Sequence, residues 1–187
     1  MTDWKVVQKW LVQCGWPLHP DGVRGPSTNE ALKDFKEMTG LPLNSVYDIP
    51  TEKLLAHLAD MGGRFSANYH FAEFADTMRH WPKATRPLIV GLEKHATKHG
   101  QKLFIVGPWR TKERNAAVGG ATNSRHLEVY HDAVDISPHP LLSVMMKDNF
   151  FRRYEYDSRQ RGAARTVWHV DMSPNSSGAF PYPHPTR

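Results

Sequence analysis

Hydrophobic positions in the N-terminal third of the chain recur at helical spacing and predict three short amphipathic helices. The first pattern runs from Trp4 to Cys14 and ends at Gly15. The second runs from Ala31 to Met38, and the third from Leu54 to Met61. A unit of this size buries a small core, so we expect it to be modestly stable.

The start of the second helix carries two local signals. The turn Pro20-Asp21-Gly22 precedes it, and Ser27 and Glu30 have the spacing of a capping box. We therefore expect a side-chain cap at this helix start.

The pattern changes in the rest of the chain, where helices alternate with buried strands. Helices are predicted over Phe71–Met78 and Arg86–His99. Apolar runs predict strands over Lys102–Val106, Asp132–Ser137 and Ala164–Met172. The predicted fold class is α+β, with a small three-helix N-terminal domain and a second domain built of an antiparallel sheet and helices.

The pair Gly62-Gly63 marks the predicted seam between the two domains, because paired glycines stop a helix and loosen the chain. The domains are thus predicted at 1–62 and 69–187, with a linker at 63–68. The last stretch, Ser173–Arg187, is rich in proline and small polar residues and is predicted to be an irregular tail.

The amino-acid composition limits the kinds of partner that the chain is expected to bind. The 24 Lys and Arg against 19 Asp and Glu give a net charge of +5, which suits polyanionic partners such as nucleic acid, an anionic membrane surface or an anionic cell-wall polymer. The basic residues are mostly scattered and lack the runs with interleaved aromatics of nucleic-acid binders, so we expect no nucleic-acid partner. The chain has no apolar stretch long enough to span a membrane, so we expect no membrane insertion. We also expect the protein to be a monomer. Since no export signal is evident, we expect synthesis in the cytoplasm and delivery by another agent.

Three polar residues in or beside apolar strands are the candidate metal ligands. Asp135 lies in the strand Ala133–Ile136 and His169 in Val167–Val170, and His126 precedes them. A buried carboxylate needs a partner or a cation to offset its desolvation. Two imidazoles and a carboxylate make a three-ligand zinc site with a fourth position left for water, which is the catalytic arrangement. Cys14 is the only cysteine, so a closed thiolate zinc site is excluded.

The run Asp21–Thr28, followed by Ala31, Leu32 and Phe35, resembles the three-helix peptidoglycan-binding domain of cell-wall hydrolases. The similarity extends from about Val6 to Leu58. It implies peptidoglycan as a partner, with Asp21, Gly22 and Arg24 as the wall-binding residues. The alternative is that these residues are ordinary turn chemistry in a helical hairpin.

A second resemblance covers about Phe71 to Met172. Its motifs occur in order at close spacing, as Trp109-Arg110-Thr111, Asn115, Val118–Ala121, Ser124–Leu127, Ala133–Ile136 and Trp168–Asp171. This part of the chain resembles the zinc D-alanyl-D-alanine carboxypeptidases, a family that includes phage L-alanyl-D-glutamate endolysins.

The resemblance implies roles for five residues. His126, Asp135 and His169 match the zinc ligands. Arg110 matches the arginine that engages the substrate, which makes it a predicted catalytic and substrate-binding residue. Ser124 is predicted at the substrate site as well, where it is expected to support the loop that carries His126; the alternative is an ordinary turn serine.

The segment between His126 and Asp135 departs from the family pattern. Its eight residues are more than the family usually has, so a bulge or longer loop must absorb them. His131, four residues before Asp135, is therefore an alternative ligand.

The position of the general base is the second departure from the family pattern. Several members of the family that this part resembles carry an acid three residues before the last ligand, where this chain has Thr166. Asp171 shares a strand face with His169 and is the predicted base, or else orients a ligand. Glu128 and Asp132 are the other candidates.

Together these features predict zinc-dependent hydrolysis of an amide bond in peptidoglycan stem peptides, as in a phage endolysin. A D,D-carboxypeptidase and an L-alanyl-D-glutamate endopeptidase are both compatible with the sequence. The competing hypothesis is a wall-binding protein that keeps the fold and has lost hydrolysis.

Overall fold

The computed structural model describes residues 2–139, 142–157, 167–174 and 178–182. The chain divides into two compact units, Met1–Arg86 and Pro87–Arg187.

The first unit contains the three predicted helices, α1 (Trp4–Gln13), α2 (Pro26–Thr39) and α3 (Ile49–Asp60). A 3₁₀-helix follows at Phe71–Phe74. The helices bury a shared apolar core, which includes Val7, Leu11, Cys14, Trp16, Leu32, Phe35, Leu55 and Leu58. The three-helix prediction is confirmed.

Helix α2 begins differently from the prediction. Its N-cap is Gly25, which has no side chain to cap the helix, and Pro26 occupies the first turn, where its missing N–H costs nothing. Glu30 instead lies within salt-bridge distance of Arg79 and Lys83. The predicted capping box is therefore wrong.

Residues beyond the predicted linker pack into the first unit. The Phe71 ring centroid lies 5.1 Å from that of Trp16 and 5.9 Å from that of Phe35. The Trp81 indole N–H donates to the buried Asp34 carboxylate at 2.7 Å. The boundary between the two compact units therefore lies after Arg86, on the C-terminal side of the predicted linker 63–68.

The helix predicted over 71–78 is a single 3₁₀ turn, Phe71–Phe74. Asp76 explains its early end, because its carboxylate accepts hydrogen bonds from the backbone N–H groups of Met78 and Arg79. Such an Asx turn competes with the helix for these backbone donors.

The second unit is built around one sheet. Its helices are α4 (Arg86–His99), α5 (Lys112–Ala117) and α6 (Leu142–Asp148). Its strands are β1 (Ile105–Gly107), β2 (Ala133–His139), β3 (Arg153–Asp157), β4 (Val167–Asp171) and β5 (Gly178–Tyr182).

The strand order is β1-β2-β4-β3-β5. The first four strands pair antiparallel, and β5 pairs parallel to β3. The predicted α+β class is confirmed. The prediction of an irregular tail is wrong for Gly178–Tyr182, because β5 pairs with the otherwise free edge of β3, and an edge strand tolerates Pro181.

In the described part of the chain, no helix has both the length and the apolar character needed to cross a membrane.

Candidate metal centre

Three side chains converge at the centre of the sheet in the second unit. His126 Nε2 lies 3.0 Å from His169 Nδ1 and 3.1 Å from Asp135 Oδ1, and the last two atoms are 3.0 Å apart. Four tetrahedral ligands about 2.0–2.1 Å from a zinc ion stand roughly 3.3 Å from one another. The triangle therefore has nearly the size that one metal ion requires. Among the described residues, these three form the one cluster of this kind.

Strand pairing brings two of the three ligands together. Asp135 on β2 is the direct partner of His169 on β4. Residues opposite each other in a ladder point to the same face, so both side chains reach the site from neighbouring strands. Gly107 on β1 completes this row on the far side of Asp135.

His126 reaches the same place from a loop. Its backbone carbonyl accepts from the Arg110 N–H at 2.6 Å, and Leu127 forms a parallel bridge with Arg110. Its ring Nδ1 lies 2.8 Å from the Pro108 carbonyl. This bond places the proton on Nδ1 and leaves Nε2 as the atom free to bind a metal.

Asp171 lies behind His169. Its Oδ2 is 3.1 Å from His169 Nε2, on the opposite side of the ring from the ligand atom Nδ1. Asp171 is almost fully buried, and its Oδ1 accepts from the Ser173 N–H. This position suits a residue that orients a ligand, rather than the predicted general base.

The pKa values in the site reflect burial and tight pairing. Burial lowers the pKa of His126 below its ordinary value. Burial also disfavours a charged His169, but hydrogen bonds to Asp135 and Asp171 outweigh it and raise the pKa of His169 to about 9. For Asp135, burial opposes ionisation, yet the bonds from His126 and His169 hold its pKa well below the usual range. Asp135 is thus a carboxylate, the form that binds a cation.

His131, the alternative ligand, does not join the cluster. Its Nδ1 lies 2.7 Å from the carbonyl of Glu128, and its backbone φ of 36° marks a tight left-handed turn. This turn absorbs the extra residues of the loop, so His126 keeps its place at the site. Asp132, a candidate base, is instead paired with Arg125.

Arg110 and Ser124 lie next to the ligands. The Arg110 guanidinium donates to Asp135 Oδ2, the oxygen that is turned away from the two histidines, and it stays partly exposed. Ser124 Oγ accepts from the His126 N–H at 3.3 Å, which fits the predicted support of that loop.

Sequence reasoning missed Glu155 and Arg153 of β3. Glu155 is the direct partner of His169 in the ladder, on the side opposite Asp135. Arg153 donates to Glu155 at 2.6 Å and its Nε lies 3.9 Å from Asp171. The alternation Arg-Tyr-Glu-Tyr-Asp over 153–157 was the available signal for this strand. Thr166, where relatives carry an acid, lies outside the described residues.

The predicted wall-binding residues Asp21 and Gly22 hold the first unit together. The buried Gln8 donates to Asp21 Oδ1 at 2.7 Å and accepts from the Gly22 N–H at 2.8 Å. Gln8 also donates to Thr28. The aspartate-glycine turn is therefore tied to α1 and α2 through Gln8, a residue that the sequence pattern did not indicate.

Arg24 is exposed and joins two loops. It donates to Asn29 and to the Ser45 carbonyl, each at 2.7 Å, and its guanidinium lies 4.8 Å from the Trp4 ring centroid. Tyr47 packs against the same ring at 5.2 Å. Trp16, in contrast, is fully buried, so its ring is not accessible to a sugar ligand.

The donor set fits zinc. Two imidazole nitrogens and one carboxylate oxygen make a site of the open, three-ligand kind, and His169 has the carboxylate partner typical of metal-binding histidines. The sheet and this cluster define a candidate metal centre of the open kind that metallohydrolases use.

Comparison with known families specifies the class. The family model described as Peptidase M15 matches residues 67–171, which is more than half of the chain. The chain belongs to the Peptidase M15 family, whose members are zinc-dependent metallopeptidases. A second model, described as a putative peptidoglycan binding domain, matches residues 1–55. The comparison with curated proteins gives no match.

Proposed function

We propose that this protein uses zinc to hydrolyse an amide bond in the stem peptides of bacterial peptidoglycan, as a phage-type endolysin does. The cluster of His126 Nε2, Asp135 Oδ1 and His169 Nδ1 carries the proposal, because its atoms are spaced for one ion. The match of residues 1–55 to a peptidoglycan binding domain supports the choice of substrate.

The residues of the site have separate tasks in this proposal. Zinc held by the three ligands would polarise the scissile carbonyl and lower the pKa of water toward about 7. Asp171 accepts the His169 Nε2–H and fixes the ring so that Nδ1 faces the ion. Arg110, beside Asp135 and partly exposed, can bind a substrate carboxylate or a developing oxyanion.

The N-terminal unit has the role of keeping the enzyme on the wall. Binding of peptidoglycan by this unit raises the local concentration of stem peptides for the second unit. We expect the protein to act as a monomer on the wall, delivered there by a holin-type partner. Both a D,D-carboxypeptidase and an L-alanyl-D-glutamate endopeptidase fit this scheme.

Digestion of purified peptidoglycan followed by mass spectrometry tests the proposal. The new termini identify the bond: loss of terminal alanine indicates a carboxypeptidase, and new alanine and glutamate ends indicate an endopeptidase. We expect His169→Ala to abolish zinc retention and cleavage, because it removes a ligand. The control is His57→Ala, which changes an exposed histidine on α3.

The competing hypothesis of a non-catalytic wall binder predicts a different result. It requires a wild-type protein that binds zinc and sediments with peptidoglycan but releases no product. Normal hydrolysis by His169→Ala would instead show that the ligand assignment is wrong.

A further inference from the structure

The long loop between His126 and Asp135 is closed across its base by one ion pair. Arg125 Nε donates to Asp132 Oδ1 at 2.8 Å, and the second guanidinium nitrogen donates to Asp132 Oδ2. Such a two-bond arrangement fixes both planar groups relative to each other. Only 8% of the Asp132 side chain and 23% of the Arg125 side chain are exposed. This pair is thus better shielded than an ordinary surface salt bridge, which contributes little.

The interior of the loop is packed against the same guanidinium. Arg125 Cζ lies 4.2 Å from the centroid of the Tyr130 ring, at a distance suited to a cation–π contact. The N–H groups of Tyr130 and His131 both donate to the Leu127 carbonyl at 2.8 Å. The loop therefore folds back on itself, and Arg125 covers its inner side.

Both ends of the ion pair connect directly to metal-ligand positions. Arg125 precedes His126 in the chain, and Asp132 immediately precedes strand β2, which carries Asp135. The Asp132 carbonyl also accepts from the Met172 N–H at 3.0 Å, at the end of the strand that carries His169. The pair thus links the loop ligand to the two strand ligands.

We propose that Arg125 and Asp132 are positioning residues that set the distance between His126 and Asp135 and so preorganise the metal centre. The inference rests on the proposed function, since it assigns the pair to the same site. It explains how the chain keeps the ligand geometry across the eight residues that separate His126 from Asp135. Outer residues that hold metal ligands typically change metal affinity by about 10- to 100-fold.

Zinc affinity of the full-length protein tests this role. We expect Arg125→Gln and Asp132→Asn each to weaken zinc binding by roughly 10- to 100-fold, measured by competition with a chromophoric chelator. The double variant should bind no more weakly than either single variant, because both remove the same pair. Arg125→Lys should recover only part of the affinity, since lysine lacks the two-pronged geometry.

A control separates positioning from general stability. Lys98→Gln breaks an ion pair with Asp148 in the same unit, whose Nζ–Oδ1 distance is 2.5 Å. We expect this variant to keep wild-type zinc affinity. The absorption spectrum of bound Co²⁺ should change in the Arg125 and Asp132 variants and stay unchanged in the control. Thermal unfolding of the metal-free variants shows that each one is folded.

Each outcome decides between the two proposals. Wild-type zinc affinity and an unchanged Co²⁺ spectrum in folded Arg125 and Asp132 variants would overturn the positioning role alone. A wild-type protein that binds no zinc would overturn both the positioning role and the proposed function.

Discussion

The carboxylates of Asp171 and Glu155 flank His169 in different ways. Asp171 is 1% exposed and is bonded to His169 Nε2. Glu155 lies across the ladder from His169, keeps 15% of its side chain exposed and is paired with Arg153. The first position suits a residue that orients a ligand, and the second makes Glu155 the candidate general base that substitution can test.

Substitution of each carboxylate by its amide separates these tasks. We predict that Asp171→Asn lowers zinc affinity by roughly 10- to 100-fold, because the amide no longer fixes the ring. Glu155→Gln should keep zinc and lower kcat by about 10²- to 10⁴-fold, the usual contribution of a general base. Chelator competition and product release from peptidoglycan measure the two effects. Normal turnover by Glu155→Gln would exclude Glu155 as the general base.

The residues that the sequence identified share one property, which is a polar side chain in an apolar strand. Asp135 and His169 stand out in this way, and the motif around His126 adds the third ligand. The choice between His126 and His131 depended on how the loop folds, which spacing alone does not determine. Glu155 was missed because its relation to His169 exists only through strand pairing.

At the scale of elements, strand β1 shapes the metal centre because Gly107 has no side chain. A Cβ atom on Gly107 would lie 2.7 Å from Asp135 Oδ2 and 2.9 Å from its Cβ. Real Cβ atoms do not approach other atoms so closely, so the glycine leaves the room that the Asp135 side chain occupies.

Gly107→Ala tests this requirement. We predict weaker zinc binding and slower cleavage, because the added methyl group forces Asp135 away from the two histidines. Gly25→Ala is the control, since a Cβ there has no atom within 4 Å. Zinc titration of both variants measures the effect, and equal affinities would contradict it.

Elements with a strong apolar period were predictable, and short or edge elements were not. The three N-terminal helices and the strands that carry Asp135 and His169 were recognised. The 3₁₀ turn at Phe71–Phe74 was not predicted, because the Asp76 side chain ends it. Strand β5 was not predicted either, because it forms by pairing with the free edge of β3. The first element depends on a local side-chain turn and the second on tertiary strand pairing, and an apolar period reveals neither.

At the scale of the molecule, the first unit is larger than its family match. The peptidoglycan binding model ends at residue 55 and the peptidase model begins at 67, yet packing assigns residues through Arg86 to the first unit. Phe71, Phe74 and Trp81 are buried there. The predicted linker at 63–68 overlaps the gap at 56–66 between the family models only in part, and the boundary set by packing depends on aromatic contacts that a glycine pair does not reveal.

Two N-terminal fragments test this extended core. We predict that residues 1–86 unfold cooperatively, and that residues 1–62 are far less stable. Burial of each aromatic side chain contributes about 1.5–3 kcal/mol, and a small unit has little stability to lose. Thermal unfolding followed by circular dichroism measures the difference. Equal transition temperatures would show that residues 63–86 add nothing to this core.

The alignment of Gly107, Asp135, His169 and Glu155 across four strands has a consequence for folding order. A slip of one residue turns a strand's side chains to the opposite face, so only one pairing assembles the three ligand atoms. An ion that needs all three can therefore bind only after the strands have joined correctly. We therefore expect metal capture to come late in folding and to favour the correctly paired sheet over slipped ones.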